Sequence, residues 1–230
     1  MKGGLVVIEG NIGAGKSTFA KILAESLNGI YIPEPDENTN PYLSDYYAHP
    51  ARWSFEMQMY LLTRRYRAQR SAQCAIRAGS QKFFVMDRSY FGDVCFANVQ
   101  RLLGYFDERS YNTYMMHHSD MKVMLEPPAM AIFLDVDPIP CKGRISKRMS
   151  EKAGRNCESS IDLDYLLALN CEIHKLAKSL EGKTIVKHIS WNEPKTPDQI
   201  KAVCDDIATE LQNAERSVYD FWTGIDGVGR

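Results

Sequence analysis

The sequence predicts an α/β fold, a five-stranded parallel sheet with helices on both faces. Three observations carry this. Apolar strand-like segments alternate with helical ones along the 230 residues, the pattern of a chain that crosses back over its sheet after each strand. The strand-like segments are continuous apolar runs such as Ala131-Ile132-Phe133-Leu134, as expected of strands buried on both faces. The first run, Leu5-Val6-Val7-Ile8, leads straight into Gly10-Asn11-Ile12-Gly13-Ala14-Gly15-Lys16-Ser17 and a helix opening at Thr18. Strand, glycine-rich turn and helix N-terminus are the context a phosphate-binding loop requires.

In order along the chain, Leu5 to Ile8 forms the first strand, and Thr18 to Ala24 opens the first helix. Gly29 to Ile32 is a short second strand that ends at Pro33-Glu34-Pro35. Residues 36–50, rich in Asp, Asn and Pro, read as loop. Apolar residues at helical spacing (Phe55, Met59, Leu62, Tyr66) predict a long helix from about Ala51 to Arg77, stopped by Gly79. Phe83 to Met86 is a third strand running into Asp87-Arg88-Ser89. Helical sequence fills about 93–122 and is broken by Pro127-Pro128. Ala131 to Val136 is the fourth strand. A basic stretch follows over 138–157, with Arg144 and Arg148 four apart on one helix face. A helix spans about Asp162 to Leu180, a strand Thr184 to Ile189, and a last helix Pro197 to Leu211. One domain over 1–212 is expected, with a loose tail over 213–230.

Composition narrows the partners. A hydrophobic content of 44% and a charged content of 25% suit a globular enzyme with a full core, and a net charge of −1 gives no basic footprint for nucleic acid. No apolar run approaches membrane-span length, and the first strand begins too early for a signal or transit peptide, so a cytoplasmic protein is expected. The six cysteines show neither a CxxC nor a metal-ligand spacing and read as reduced structural residues.

The loop from Gly10 to Ser17, continued by Thr18, points to a nucleoside triphosphate. Its backbone N–H groups cradle phosphate, Lys16 reaches the β- and γ-phosphates, and the Ser17 hydroxyl can sit on Mg²⁺. In parallel sheets ligands collect at the carboxyl ends of the strands, which selects Glu34, Asp87 and Arg88. A carboxylate there can take a proton from an attacking hydroxyl or hold the metal through water, and an arginine can clamp the transferring phosphoryl. Glu34 could equally be a solvated loop acid, and Asp87-Arg88 a surface ion pair. Arg144, Arg148 and Arg155 could close over a phosphoryl group or belong to a solvated basic face. Gln58 and Arg65 share a face of the long helix, where an amide could read a base edge or simply face water.

Taken together these motifs resemble the deoxyribonucleoside kinases, the family of deoxycytidine, deoxyguanosine and bacterial deoxyadenosine kinases. The likeness runs from the P-loop to about residue 180. It includes Glu34-Pro35, Tyr47-x-x-Pro50-x-Arg52-Trp53-Ser54-Phe55-x-x-Gln58, Asp87-Arg88-Ser89, the arginine-rich lid at about 142–160, and Ile161-Asp162-Leu163-Asp164-Tyr165-Leu166. The resemblance implies a P-loop kinase fold, usually dimeric through its helices, that phosphorylates the sugar 5′-hydroxyl with MgATP. By position it makes Glu34 the catalytic base and Arg88 the arginine on the 5′-hydroxyl and phosphoryl group. Asp87 becomes the acid associated with Mg²⁺. Tyr47 and Glu158 match the pair on the 3′-hydroxyl, Gln58 the base-reading amide, and Arg65 with Asp93 the pair in the base pocket. Phe96 matches the stacking aromatic, with a one-residue gap in the alignment. Arg144, Arg148 and Arg155 match the lid arginines. The lid departs from the family spacing, since Met149 to Gly154 separate Arg148 from Arg155, and Arg155 and Glu158 rest on the downstream match Arg155-Asn156-x-Glu158.

The Arg65 and Asp93 pair presents both donors and an acceptor and could serve a purine or cytosine, with deoxyadenosine and deoxyguanosine expected ahead of deoxycytidine and thymidine disfavoured. The main alternative is a nucleoside monophosphate kinase of the thymidylate kinase type, but that family typically carries an arginine just before its Glu-Pro, where this chain has Pro33. A GTPase-type switch would need Asn-Lys-x-Asp, which is missing from the sequence. A non-catalytic scaffold is disfavoured by intact Lys16, Ser17, Glu34 and Arg88.

Overall fold

The structure, a computed structural model, describes residues 3–35, 39–151 and 161–225, with side chains up to 150 and 213 where helices border the undescribed segments. Among the described residues five strands, β1 (Leu5–Gly10), β2 (Ile30–Ile32), β3 (Phe84–Asp87), β4 (Met130–Asp135) and β5 (Ile185–Ser190), form one sheet in the order β2-β3-β1-β4-β5. Every pairing is parallel. The expected fold class is the one observed. All residues of β1 and β3 are buried, as is β4 up to Leu134, so both faces of the sheet are covered. β2 and β5 lie at the edges and are more exposed.

Eight helices cover the sheet among the described residues: α1 (Lys16–Ser26), α2 (Leu43–Ala48), α3 (Pro50–Arg77), α4 (Tyr90–Leu102), α5 (Glu108–Lys122), α6 (Pro138–Glu151), α7 (Leu163–Leu180) and α8 (Pro197–Ile225). α1 packs with α8, and α4 with α7 and α3. Side chains fix their starts. Pro50 opens α3 with a φ already suited to the first turn. Ser89, Asp107 and Asp162 each accept a backbone N–H three residues on, capping α4, α5 and α7.

Three expectations need correction. The region 36–50, read as loop, contains α2, a short helix held by packing of Tyr46 on Met57 and Leu61 rather than by its own sequence. The helical stretches expected over about 93–122 are α4 and α5, but the first begins earlier, at Tyr90. Gly104, in the left-handed conformation, and the Asp107 cap separate them. The tail expected from residue 213 is helical as far as Ile225, since no glycine or proline interrupts the chain between Pro197 and Gly224.

The core centres on β1 and β4, where Val7, Ile8, Ala131 and Ile132 are fully buried. Shortening a side chain there removes apolar contact and leaves a cavity. Ile132→Ala is expected to lower unfolding free energy by about 2–5 kcal/mol, measured as a lower urea midpoint with an unchanged m-value.

Candidate active site

Parallel register brings the site together. Ile8 pairs with Asp87 and Gly10 with Leu134, and the Arg88 N–H extends the ladder by donating to the Ile8 carbonyl at 3.0 Å. β1 therefore lies between strands reached in opposite directions, the topological switch where parallel sheets bind ligands. The chain beyond β1, β2 and β3 borders a cavity of about 360 Å³, lined by Lys16, Ser17, Glu34, Asp87 and Arg88 and also by Tyr47, Arg65 and Phe96.

The loop after β1 is built around its own backbone. Asn11 donates to the Leu166 carbonyl of α7 at 2.9 Å, and its own carbonyl accepts the Ala14 N–H at 3.2 Å and Lys16 Nζ at 2.8 Å. Gly13 has a φ of 80°, and a Cβ there would stand 2.7 Å from the Cys141 carbonyl oxygen of α6, so only glycine fits. Lys16 is buried. Burial and the nearby Arg88 pull its ammonium down to about 8, against the opposing pull of Asp87, Glu34 and Glu9.

Glu34, beyond β2, stands between two guanidinium groups. It is ion-paired with Arg65 and with Arg88, the latter at 3.1 Å. Burial alone would raise its pKa, but Arg88, Arg65 and Lys16 together hold the carboxyl down at about 2. Arg88 adopts a left-handed φ of 64° and also donates to the Gly10 carbonyl at 3.0 Å. Asp87 accepts the Ser17 hydroxyl at 2.5 Å through one carboxylate oxygen, while its other oxygen is buried with no hydrogen-bond partner. Burial raises the Asp87 pKa against the pull of Lys16. An orphaned carboxylate oxygen beside a hydroxyl is a hard-oxygen donor set that suits Mg²⁺.

The other expected residues divide into two groups. Tyr47, Arg65 and Phe96 line the cavity, and Phe96 lies under Arg88 at 4.5 Å and Arg65 at 5.4 Å. Gln58 and Asp93 are fully buried behind that wall. Asp93 pairs with Arg65 and accepts Gln58 Nε2 at 2.7 Å and the Tyr114 hydroxyl at 2.6 Å. The Gln58 carbonyl oxygen accepts from Gln100 at 2.7 Å, so both ends of its amide have internal partners.

The two arginines of α6 do not converge. Arg148 lines the cavity. Arg144 instead donates to backbone carbonyls, those of Trp191 at 2.7 Å, Asn192 at 2.8 Å and Ala14 of the loop at 3.2 Å. It thereby ties the turn after β5 to the phosphate loop. Trp191 itself is buried edge-on against Phe19 and lies beside Gly15. Arg155 and Glu158 lie outside the described residues, as does the lid segment 152–160.

Several cavity residues were not selected from the sequence. Tyr46, Tyr105 and Tyr165 add aromatic and hydroxyl surface. Asn40 uses its carbonyl oxygen to cap Tyr42, leaving its buried Nδ2 without a partner. Tyr165 stands inside a quoted motif and could have been singled out there, whereas Tyr105 sits in a turn with no marker. Glu9 is a buried acid inside β1. Its signal in the sequence is a charge placed between the apolar run Leu5 to Ile8 and Gly10 of the loop.

Comparison with known proteins agrees with this geometry. The family model described as deoxynucleoside kinase matches residues 6–214. A deoxyadenosine kinase from Dictyostelium discoideum is 33% identical over 87% of this chain and 77% of its own. A deoxyguanosine kinase from the same organism is 33% identical over 82% of this chain, which spans 64% of that relative's length. Among solved structures, deoxyadenosine kinase from M. mycoides with the products dCMP and dCDP bound superposes with a TM-score of 0.75 at 27% identity, covering 89% of this chain and 99% of that one. With the phosphate loop, the Glu34 cluster and the match over most of its length all in accord, the chain belongs to the deoxynucleoside kinase family.

Proposed function

We propose that the protein transfers the γ-phosphoryl group of ATP to the 5′-hydroxyl of a deoxyribonucleoside, with purine deoxynucleosides preferred. The observation that carries this is the Glu34 carboxylate, gripped by Arg65 and Arg88 in a cavity that Lys16 and Ser17 also line.

The roles follow from charge and position. The loop and Lys16 bind the triphosphate. Ser17 and Asp87 are the residues that would hold Mg²⁺, which neutralises charge on the β- and γ-phosphates when bound. Glu34 stays ionised, accepts a hydrogen bond from the 5′-hydroxyl and so aims the hydroxyl oxygen at the γ-phosphorus. The O–H proton passes to Glu34 as the new P–O bond forms and the bond to the bridging oxygen of ADP breaks. A carboxylate held near 2 is a weak base, but phosphoryl transfer asks mainly for positioning and charge stabilisation, so a late proton transfer suffices. Arg88 steadies the moving phosphoryl group, and Arg148 reaches the same space from α6.

The acceptor's sugar is assigned to Tyr47 and its base to the aromatic end of the cavity at Phe96, next to the Arg65–Asp93 pair. The relatives named for deoxyadenosine and deoxyguanosine support the purine lean. The thymidylate kinase reading gains no support. A monophosphate acceptor needs uncommitted cations, and Arg65 and Arg88 are neutralised by Glu34 and Asp93. No helix among the described residues is long and apolar enough to cross a membrane, and a cytoplasmic homodimer is the assembly proposed. Exposed Leu163 and Leu167 on α7 and Leu102 on α4 support a helix-mediated contact.

Glu34→Gln is expected to leave nucleoside affinity in calorimetry within about threefold and to reduce kcat by about a hundred- to ten-thousandfold. Near-normal turnover would remove Glu34 as the base. In competition at equal concentration, deoxyadenosine and deoxyguanosine are expected to be phosphorylated ahead of deoxycytidine and well ahead of thymidine. A thymidine preference would overturn the base-pocket assignment. Because Lys16 must be charged to hold phosphate, kcat/KM for ATP is expected to fall as pH rises through about 8. Lys16→Arg, slower throughout, should lose that alkaline limb because its guanidinium stays protonated.

A further inference from the structure

We propose that Glu9 is a positioning residue for phosphoryl transfer, gripping Ser89 from within the sheet so that Arg88 is held in its working conformation. This deepens the reading given above and rests on its assignment of Arg88 to the transferring phosphoryl group.

Glu9 lies on the central strand and is 1% exposed. A buried carboxylate in that place is costly unless it is fully engaged. One of its oxygens, Oε1, accepts both the Ser89 N–H at 2.8 Å and the Ser89 hydroxyl at 2.6 Å. The same hydroxyl oxygen accepts the Gly92 N–H at 3.0 Å and caps α4. Immediately before Ser89 stands Arg88, in a left-handed conformation that non-glycine residues avoid unless their surroundings enforce it. The enforcement is visible on both sides. The Arg88 N–H is held by the Ile8 carbonyl, and the next residue is held by the Glu9 carboxylate. The left-handed turn sends the guanidinium back across the phosphate loop to the Gly10 carbonyl and Glu34.

A second observation points the same way. A Cβ at Gly92 would lie 2.4 and 2.6 Å from the two oxygens of Glu9, and Gly92 is not among the glycines of positive φ. Its lack of a side chain therefore serves to admit the carboxylate rather than to permit a turn. β1 thus supplies the Gly10 carbonyl that receives Arg88 and the acid that orients it. Registering the acceptor clamp against the phosphate loop in this way is the function assigned to Glu9.

The test uses the full chain with Glu9→Met, Glu9→Gln, Gly92→Ala and the Glu9→Met/Gly92→Ala double variant, each assayed below its measured melting transition. Glu9→Met keeps the length of the side chain and removes the acceptor. It is expected to lower kcat by about a hundredfold, the scale of a misplaced catalytic group, while KM for ATP and nucleoside affinity change by less than about threefold. Glu9→Gln retains Oε1 and is expected to restore kcat to within about threefold of the parent even where its melting temperature falls. Gly92→Ala is expected to mimic Glu9→Met, and the double variant to be no slower than the slower single one. A folded Glu9→Met with near-parent kcat, a Glu9→Gln as slow as Glu9→Met, or multiplying effects in the double variant would each overturn the proposal. Arg88→Lys, assayed alongside, separates this inference from the reading it rests on. A slow Arg88→Lys with a fast Glu9→Met removes only the role of Glu9. A fast Arg88→Lys removes the role of Arg88, and that of Glu9 with it.

Discussion

The site hangs on the parallel register that sets Ile8 beside Asp87. Because β3 ends at Asp87, opposite Ile8, while β1 runs on to Gly10, the Asp87-Arg88-Ser89 turn leaves the sheet beside the last residues of β1 and the phosphate loop that follows them. Ser17 then reaches Asp87, and Arg88 reaches the Gly10 carbonyl. A slip of one residue would turn every side chain of β3 to the opposite face and separate these pairs. The register is secured by burial, since all four residues of β3 and all six of β1 are enclosed. Apolar packing in the strands is thus what places charged groups at their ends.

Around that frame the protein sustains a connected set of buried polar groups. The inner face of α3 carries Gln58, Arg65, Gln69 and Gln73, all buried. Each is engaged. Gln69 accepts the Tyr90 N–H at the start of α4, Gln73 exchanges two hydrogen bonds with the backbone of Glu126, and Arg65 bridges Glu34 and Asp93. Interior ions of this kind contribute little net stability, because desolvation offsets their attraction, but removing one partner strands the other. The network therefore acts less as glue than as a jig, fixing how far Glu34 can move relative to the phosphate loop.

The strands, the phosphate loop and the acids beyond β2 and β3 were legible because each depends on local pattern: apolar runs, glycine spacing, a charge directly after a strand. What escaped depends on contacts remote in sequence. α2 exists because Tyr46 packs on α3, which no local propensity reports. Arg144 has the same spacing to Arg148 that a phosphate clamp would show, yet its partners are carbonyls some 47 and 130 positions away. Gln58 and Arg65 share a helix face as expected, but only the packing of α4 decides that Asp93 and Gln100 occupy the Gln58 amide while Arg65 reaches the cavity. Glu9 was visible as a charge at the end of the first apolar run, but its meaning required the position of Ser89.

The bracket formed by Arg144 has an optical side. It binds the carbonyl of Trp191, whose indole lies edge-on to Phe19 of α1 and against Gly15 at the start of that helix. A buried ring responds to small changes in the polarity and packing around it. The molecule thus carries a chromophore of its own in contact with the glycine loop, where any rearrangement of that backbone alters the surroundings of the indole.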